Sequence, residues 1–146
     1  MKEYTTKSPE ETTLLGSEIA ACLQGGETIA FRGPMGAGKT TLTHSIVSAL
    51  GAGHASSPTF SLMHEYKGGR LTVRHFDMYR IHEWEELYST GFMDYLDDEN
   101  AVIFIEWSEN VEEALPPETR IIEIEFGKNE NERHFKLYHK EEKILC

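Results

Sequence analysis

The chain contains only two cysteines, Cys22 and Cys146, among its 146 residues. That scarcity excludes a disulfide framework and a Cys-rich zinc site. No run approaches the roughly 18–20 apolar residues that a membrane-crossing helix needs, so no membrane association is expected. The opening residues Met1-Lys2-Glu3-Tyr4-Thr5-Thr6 lack the apolar stretch of a secretory signal, which gives a cytoplasmic expectation. Positive charge is also short, with 14 Lys and Arg against 25 Asp and Glu and a net charge of −11. A surface of that sign is poorly suited to gripping DNA or RNA along its phosphates. No repeat, low-complexity tract or Pro/Ser-rich linker divides the chain. Its length is that of one domain, so a single domain over residues 1–146 is expected. Hydrophobic residues make up 39% and aromatic residues 10%, enough to build a core and unlike a disordered chain.

Helix and strand signals alternate. Ser8-Pro9-Glu10-Glu11 reads as a helix start: Ser8 can cap, Pro9 suits the first helical position, and Glu11 stands where a capping box needs it. That helix is expected to reach about Gln24 and stop at Gly25-Gly26. Residues 27–31 read as a short strand before a glycine-rich turn. Leu42, Ile46 and Leu50 then recur on one helix face, and Gly51 is a natural stop. Residues 61–66 and 71–77 read as strands around a Lys67-Gly68-Gly69 turn. Residues 82–96 carry Trp84, Leu87, Tyr88 and Tyr95 at helical spacing, with Gly91 able to break the helix in two. Residues 101–107 form a continuous apolar run, the mark of a strand buried on both faces. Residues 120–126 and 132–139 alternate as a final strand pair. The pattern is α/β, with antiparallel strands added late.

The segment Gly33-Pro34-Met35-Gly36-Ala37-Gly38-Lys39-Thr40 fits G-x-x-x-x-G-K-[ST] at every fixed position. It follows a strand and opens a helix, the context such a phosphate-binding loop requires. Glycines let successive backbone N–H groups turn onto phosphate oxygens, and the helix N-terminus adds partial positive charge. Lys39 would reach the β- and γ-phosphates of a nucleotide and the Thr40 hydroxyl would ligate Mg²⁺. Such a loop needs a carboxylate near the metal. Glu106, ending the most apolar strand, and Asp77, ending another, are the two candidates. Spacing alone leaves open which would ligate metal and which would orient an attacking water.

Ser57-Pro58-Thr59-Phe60 lies where P-loop switch proteins place a γ-phosphate sensor, and Thr59 could offer its hydroxyl to Mg²⁺ or phosphate. No Asn-Lys-x-Asp tetrapeptide of the kind that reads guanine occurs, which favours ATP. Residues 81–119 hold twelve Asp and Glu and no Lys or Arg. This is either a solvated acidic face or a docking surface for a basic partner. The same stretch lacks the Arg-rich lid that small-molecule kinases close over phosphates. The seven histidines show no metal-binding spacing and read as surface or core residues.

In order along the chain, the P-loop, Ser57-Pro58-Thr59-Phe60, His75-Phe76-Asp77-Met78-Tyr79-Arg80 and Ile105-Glu106-Trp107 resemble the bacterial TsaE family. The resemblance runs from about Ser8 to Tyr138, and the His-x-Asp-x-Tyr-Arg and Glu-Trp segments are more specific than the P-loop. It implies a P-loop NTPase-like three-layer sandwich with a central mixed, partly parallel sheet. It also implies ATP/ADP and Mg²⁺ as ligands, with Thr40 and Glu106 as metal ligands and Asp77 and Lys39 as catalytic residues. Nucleotide contacts would come from Gly33, Met35, Gly36, Ala37, Gly38, Lys39, Thr40, Thr41 and Thr59. Thr12 and Arg133 fall roughly where the family contacts nucleotide. Trp107 belongs either to the site or to the core beneath it, and Arg80 either steadies transition-state charge or pairs with acids. The implied partners are TsaD and TsaB, whose complex modifies the adenosine beside the tRNA anticodon, with tRNA met only through that complex. Two other functions suit the same P-loop: a small-molecule kinase, and a non-catalytic nucleotide-dependent binding module.

Overall fold

The computed structural model describes residues 1–56, 63–89 and 91–140. In chain order its elements are β1 (Lys2–Thr6), α1 (Pro9–Cys22), β2 (Thr28–Arg32), α2 (Lys39–Ala49), β3 (Gly53–Ser56), β4 (Met63–Lys67) and β5 (Thr72–Asp77). A 3-10 segment (Trp84–Ser89) and the short α3 (Phe92–Tyr95) follow. The chain then forms β6 (Ala101–Glu106), a second 3-10 segment (Ser108–Ala114), β7 (Arg120–Phe126) and β8 (Arg133–His139).

The eight strands of the described residues form one sheet in the order β1-β8-β7-β2-β6-β5-β4-β3. The central block β7-β2-β6-β5 is parallel, and every flanking pair is antiparallel. Helices α1 and α2 pack on one face over Phe31, Val102, Phe104 and Ile122. The 3-10 segments and α3 cover the other face over Phe76, Ile103 and Ile105. The architecture is therefore the expected three-layer α/β sandwich with a mixed, partly parallel sheet. Strand β6 is its spine: Val102 and Phe104 point to the α1/α2 layer, while Ile103 and Ile105 point to the opposite layer. Residues buried on both faces leave no polar side in the strand, which is why its sequence is an unbroken apolar run.

Local signals explain the element boundaries. The Ser8 hydroxyl accepts from Glu11 N at 3.1 Å, and the Glu11 carboxylate accepts from Lys7 N at 2.9 Å. The chain thus closes the capping exchange one residue earlier than the standard box. Helix α2 ends before Gly51, as expected. Residues 82–96, by contrast, do not form one helix. Leu87 and Phe92 are both fully buried, yet five residues apart on a continuous helix they would diverge by about 140°. A 3-10 segment followed by a break at Gly91 turns both inward. Two strands carry no apolar alternation and escape sequence reading: β1, an edge strand paired with β8, and β3, paired with β4.

Candidate active site

Strand β2 runs between β6 and β7 and delivers the chain to Gly33. Gly33 has φ of +149°, and a Cβ there would run into the carbonyl oxygen of Ile124 in β7. The loop can leave the sheet at this point only because residue 33 has no side chain. It then turns through Ala37 N, which donates to Pro34 O at 3.2 Å. Gly38 is the N-cap of α2 and offers no side-chain cap, and no acidic residue stands in the first helical turn. The head of α2 thus lacks both a side-chain cap and an acidic first turn, an arrangement suited to an anion. Lys39 folds back along the loop, its Nζ donating to Gly33 O at 2.8 Å. Ala37 is buried, whereas Met35, Gly36, Thr40 and Thr41 are exposed at the loop and the first turn of α2.

The two carboxylates expected near a metal end adjacent parallel strands. Asp77 of β5 and Glu106 of β6 are register partners, and Phe31 of β2 is Glu106's partner on the other side. Side chains alternate along a strand. Val73 of β5 and Phe104 of β6 belong to the α1/α2 layer, so Asp77 and Glu106 face that layer too, on the side of the P-loop helix. Asp77 is exposed, and its Oδ1 accepts from Tyr79 N at 2.9 Å. Glu106 is mostly covered, and its Oε2 lies 2.9 Å from His75 Nε2. The His75 contact holds the Glu106 carboxyl below the usual range. Burial opposes this, and the charges of His75 and Lys39 add to the lowering. Glu106 is thus kept as a carboxylate within reach of the P-loop lysine's field.

Among the described residues, no three His, Cys, Asp or Glu side chains gather into a metal site. Magnesium at a P-loop does not need such a cage. It takes one or two protein oxygens and fills its octahedron with phosphate oxygens and water. A hydroxyl at the head of α2 and a carboxylate at the end of β6 are hard oxygen donors of the required kind.

Arg133 opens β8 and lies against the P-loop, where its Nε donates to Ala37 O at 3.0 Å. Its Nη1 donates to the carbonyls of Glu130 and Glu132, and its guanidinium stacks 4.9 Å from the Phe126 ring centre. Thr12 is buried in α1, with its hydroxyl 2.8 Å from that of Thr6 in β1. Thr6 is in turn the register partner of Arg133. The structure therefore brings Gly33–Thr41, Glu106, Asp77 and Arg133 to one end of the sheet and places Thr12 behind them in the β1–α1 junction. Thr59, with the rest of Ser57-Pro58-Thr59-Phe60, lies outside the described residues. Arg80 is exposed. Trp107 is not in the core: it is 45% exposed, packs edge-on against Tyr79 with centroids 5.0 Å apart, and adopts φ of +60°. A groove of about 460 Å³ opens elsewhere, between α1 and the β1–β8–β7 edge, and none of the P-loop residues line it.

Sequence reasoning gave His75 no part in the site. The available signal was position, since His75 stands two residues before Asp77 on a strand and so shares its face. Arg32 is a second such residue and has no local signal. Its Nη2 meets Glu112 at 2.7 Å and its Nε donates to Ser108 at 3.2 Å, tying the base of the P-loop to the 3-10 segment after Trp107. Only the fold brings residues so distant in sequence together.

Residues 6–135 match the family described as "Threonylcarbamoyl adenosine biosynthesis protein TsaE". The chain belongs to the TsaE family. Its curated TsaE relatives include that of Bacillus subtilis, 34% identical over 99% of this chain and 90% of that protein. The TsaE of Rickettsia conorii is 36% identical over 78% of this chain and 65% of its own length, so the chain spans just under two thirds of that relative. The crystal structure of Bacillus subtilis YdiB superposes with a TM-score of 0.71 at 30% identity, covering 92% of this chain and 82% of that one. The TsaE resemblance first carried by four short motifs thus extends over the fold.

Proposed function

We propose that this chain is a Mg²⁺-dependent ATPase, the nucleotide-driven accessory of a TsaB–TsaD complex that forms threonylcarbamoyladenosine in tRNA beside the anticodon. One observation carries the reading: a P-loop leaving β2 with two carboxylates, Glu106 and Asp77, side by side at the ends of the neighbouring parallel strands. The relatives' names place them in tRNA threonylcarbamoyladenosine biosynthesis.

In this reading the N–H groups at the head of α2 hold the phosphates, and Lys39 leaves Gly33 O to pair with the β- and γ-phosphate oxygens. Thr40 and Glu106 would hold Mg²⁺, which neutralises charge on the phosphates when bound. Asp77 stands at an exposed strand end, suited to orient water toward the γ-phosphorus. Within residues 81–119, which hold no Lys or Arg, the 3-10 segments and α3 pack as a structural layer through Leu87, Phe92 and Val111. That placement supports transfer to water over transfer to a metabolite beneath a basic lid. Its acidic side chains suit a basic protein partner better than tRNA itself.

The test is phosphate release from ATP across a Mg²⁺ titration. Lys39→Ala and Thr40→Ala are expected to abolish turnover, and Glu106→Ala to weaken its Mg²⁺ dependence. Unchanged turnover in both P-loop variants would overturn the reading.

A further inference from the structure

We propose that His75 is a positioning residue for Glu106, fixing one carboxylate oxygen so that the other is presented to the metal side of the P-loop. The inference rests on the ATPase reading above. His75 sits on β5 one face-step behind Asp77 and reaches Glu106 on the adjacent strand, where its Nε2 lies 2.9 Å from Oε2. That nitrogen is closed off from solvent and has no well-aligned hydrogen-bond partner. A buried ring nitrogen in that condition favours whatever brings an acceptor into line, and Glu106 Oε2 is the acceptor at hand. The imidazole itself is held in place, packed edge-on against Phe104 with centroids 6.3 Å apart. One Glu106 oxygen therefore lies 2.9 Å from a packed, solvent-shielded ring nitrogen that a small shift would bring into line as its donor. The carboxylate's remaining rotamers are restricted before any metal arrives, as in metal sites where an outer hydrogen bond orients the ligand. Asp77, by contrast, is oriented by a backbone N–H, that of Tyr79. The two carboxylates are thus held by different devices, in keeping with different tasks.

Two amides separate positioning from packing. The Gln side-chain nitrogen reaches the place of Nε2, whereas that of Asn reaches only the place of Nδ1. The measurement is Mn²⁺ binding to the ADP-saturated protein, followed by electron paramagnetic resonance, for wild type, His75→Gln and His75→Asn. ADP affinity in excess EDTA is measured alongside. His75→Asn is expected to weaken Mn²⁺ binding by about tenfold or more, the range seen when an outer-shell partner of a ligand is lost. His75→Gln is expected to recover most of that loss, with metal-free ADP affinity unchanged in both. Wild-type Mn²⁺ affinity in His75→Asn, or equal losses in the two variants, would overturn the proposal while leaving the ATPase reading standing. If wild type with ADP binds no Mn²⁺, the ATPase reading itself fails and takes this inference with it.

Discussion

Arg133 Nε donates to the carbonyl of Ala37 at 3.0 Å, so the first residue of β8 holds the middle of the P-loop. The same guanidinium is itself steadied by two carbonyls of the β7–β8 turn and by the Phe126 ring. The loop's shape is therefore set from the sheet edge as well as from β2 and α2. Arg133→Ala is expected to weaken ADP binding measured by calorimetry and to speed amide exchange at Gly36–Gly38. A hydrogen bond from a charged donor contributes about 1.5–3 kcal/mol, and part of that is expected to appear in the binding free energy. Arg133→Lys should rescue little, because an ammonium on a flexible stem cannot fork between three carbonyls.

Gly33 and Gly36 make a paired test of the loop. A methyl at 33 meets the Ile124 carbonyl, while at 36 it meets open space and only the backbone angle of +82° resists it. Gly36→Ala is expected to cost about 1–2 kcal/mol in urea unfolding, the usual penalty of a left-handed residue. Gly33→Ala is expected to cost more, because β7 must move as well. Equal losses would mean that the β2–β7 contact does not constrain the loop.

Much of this arrangement could be read from the chain, and the reasons are local. Ser8-Pro9 marks a helix start, Gly51 a helix stop, and the apolar run of β6 a central strand because backbone chemistry and burial write themselves into neighbouring residues. The P-loop is legible for the same reason, since its function is its backbone. What was missed depends on distant contacts. Lys2–Thr6 becomes a strand only by pairing with β8. The break in residues 82–96 has its local sign in Gly91, whereas the tie of His75 to Glu106 exists only across two parallel strands. Family resemblance puts Arg133 near the nucleotide, but its grip on Ala37 is a matter of tertiary structure.

Acid stability is expected to depend on a triad around β5. Arg74 reaches Glu65 of β4 at 2.9 Å and Asp98, ahead of β6, at 2.7 Å. Burial alone would raise Glu65, but hydrogen bonds from Arg74 and Lys67 outweigh it and hold the carboxyl below its usual 4.5. Asp98 is held below its usual 3.8 by its bond to Arg74 and by Asn100 N. Carboxyls depressed in the folded state contribute stability that is fully present above their unfolded values and lost as pH falls through the folded ones. Unfolding free energy should therefore fall from about pH 4.5 downward. Glu65→Gln and Asp98→Asn should each flatten that slope while lowering stability at pH 7. An unchanged acid slope in both variants would mean that the triad is not linked to folding.

The proposed ATPase and its partners are tested together by phosphate release from ATP and Mg²⁺, by this chain alone and with TsaB and TsaD added. The expected result is slow release that the pair accelerates and that Lys39→Ala abolishes. A pair that neither binds nor accelerates the wild-type chain would rule out the proposed partnership.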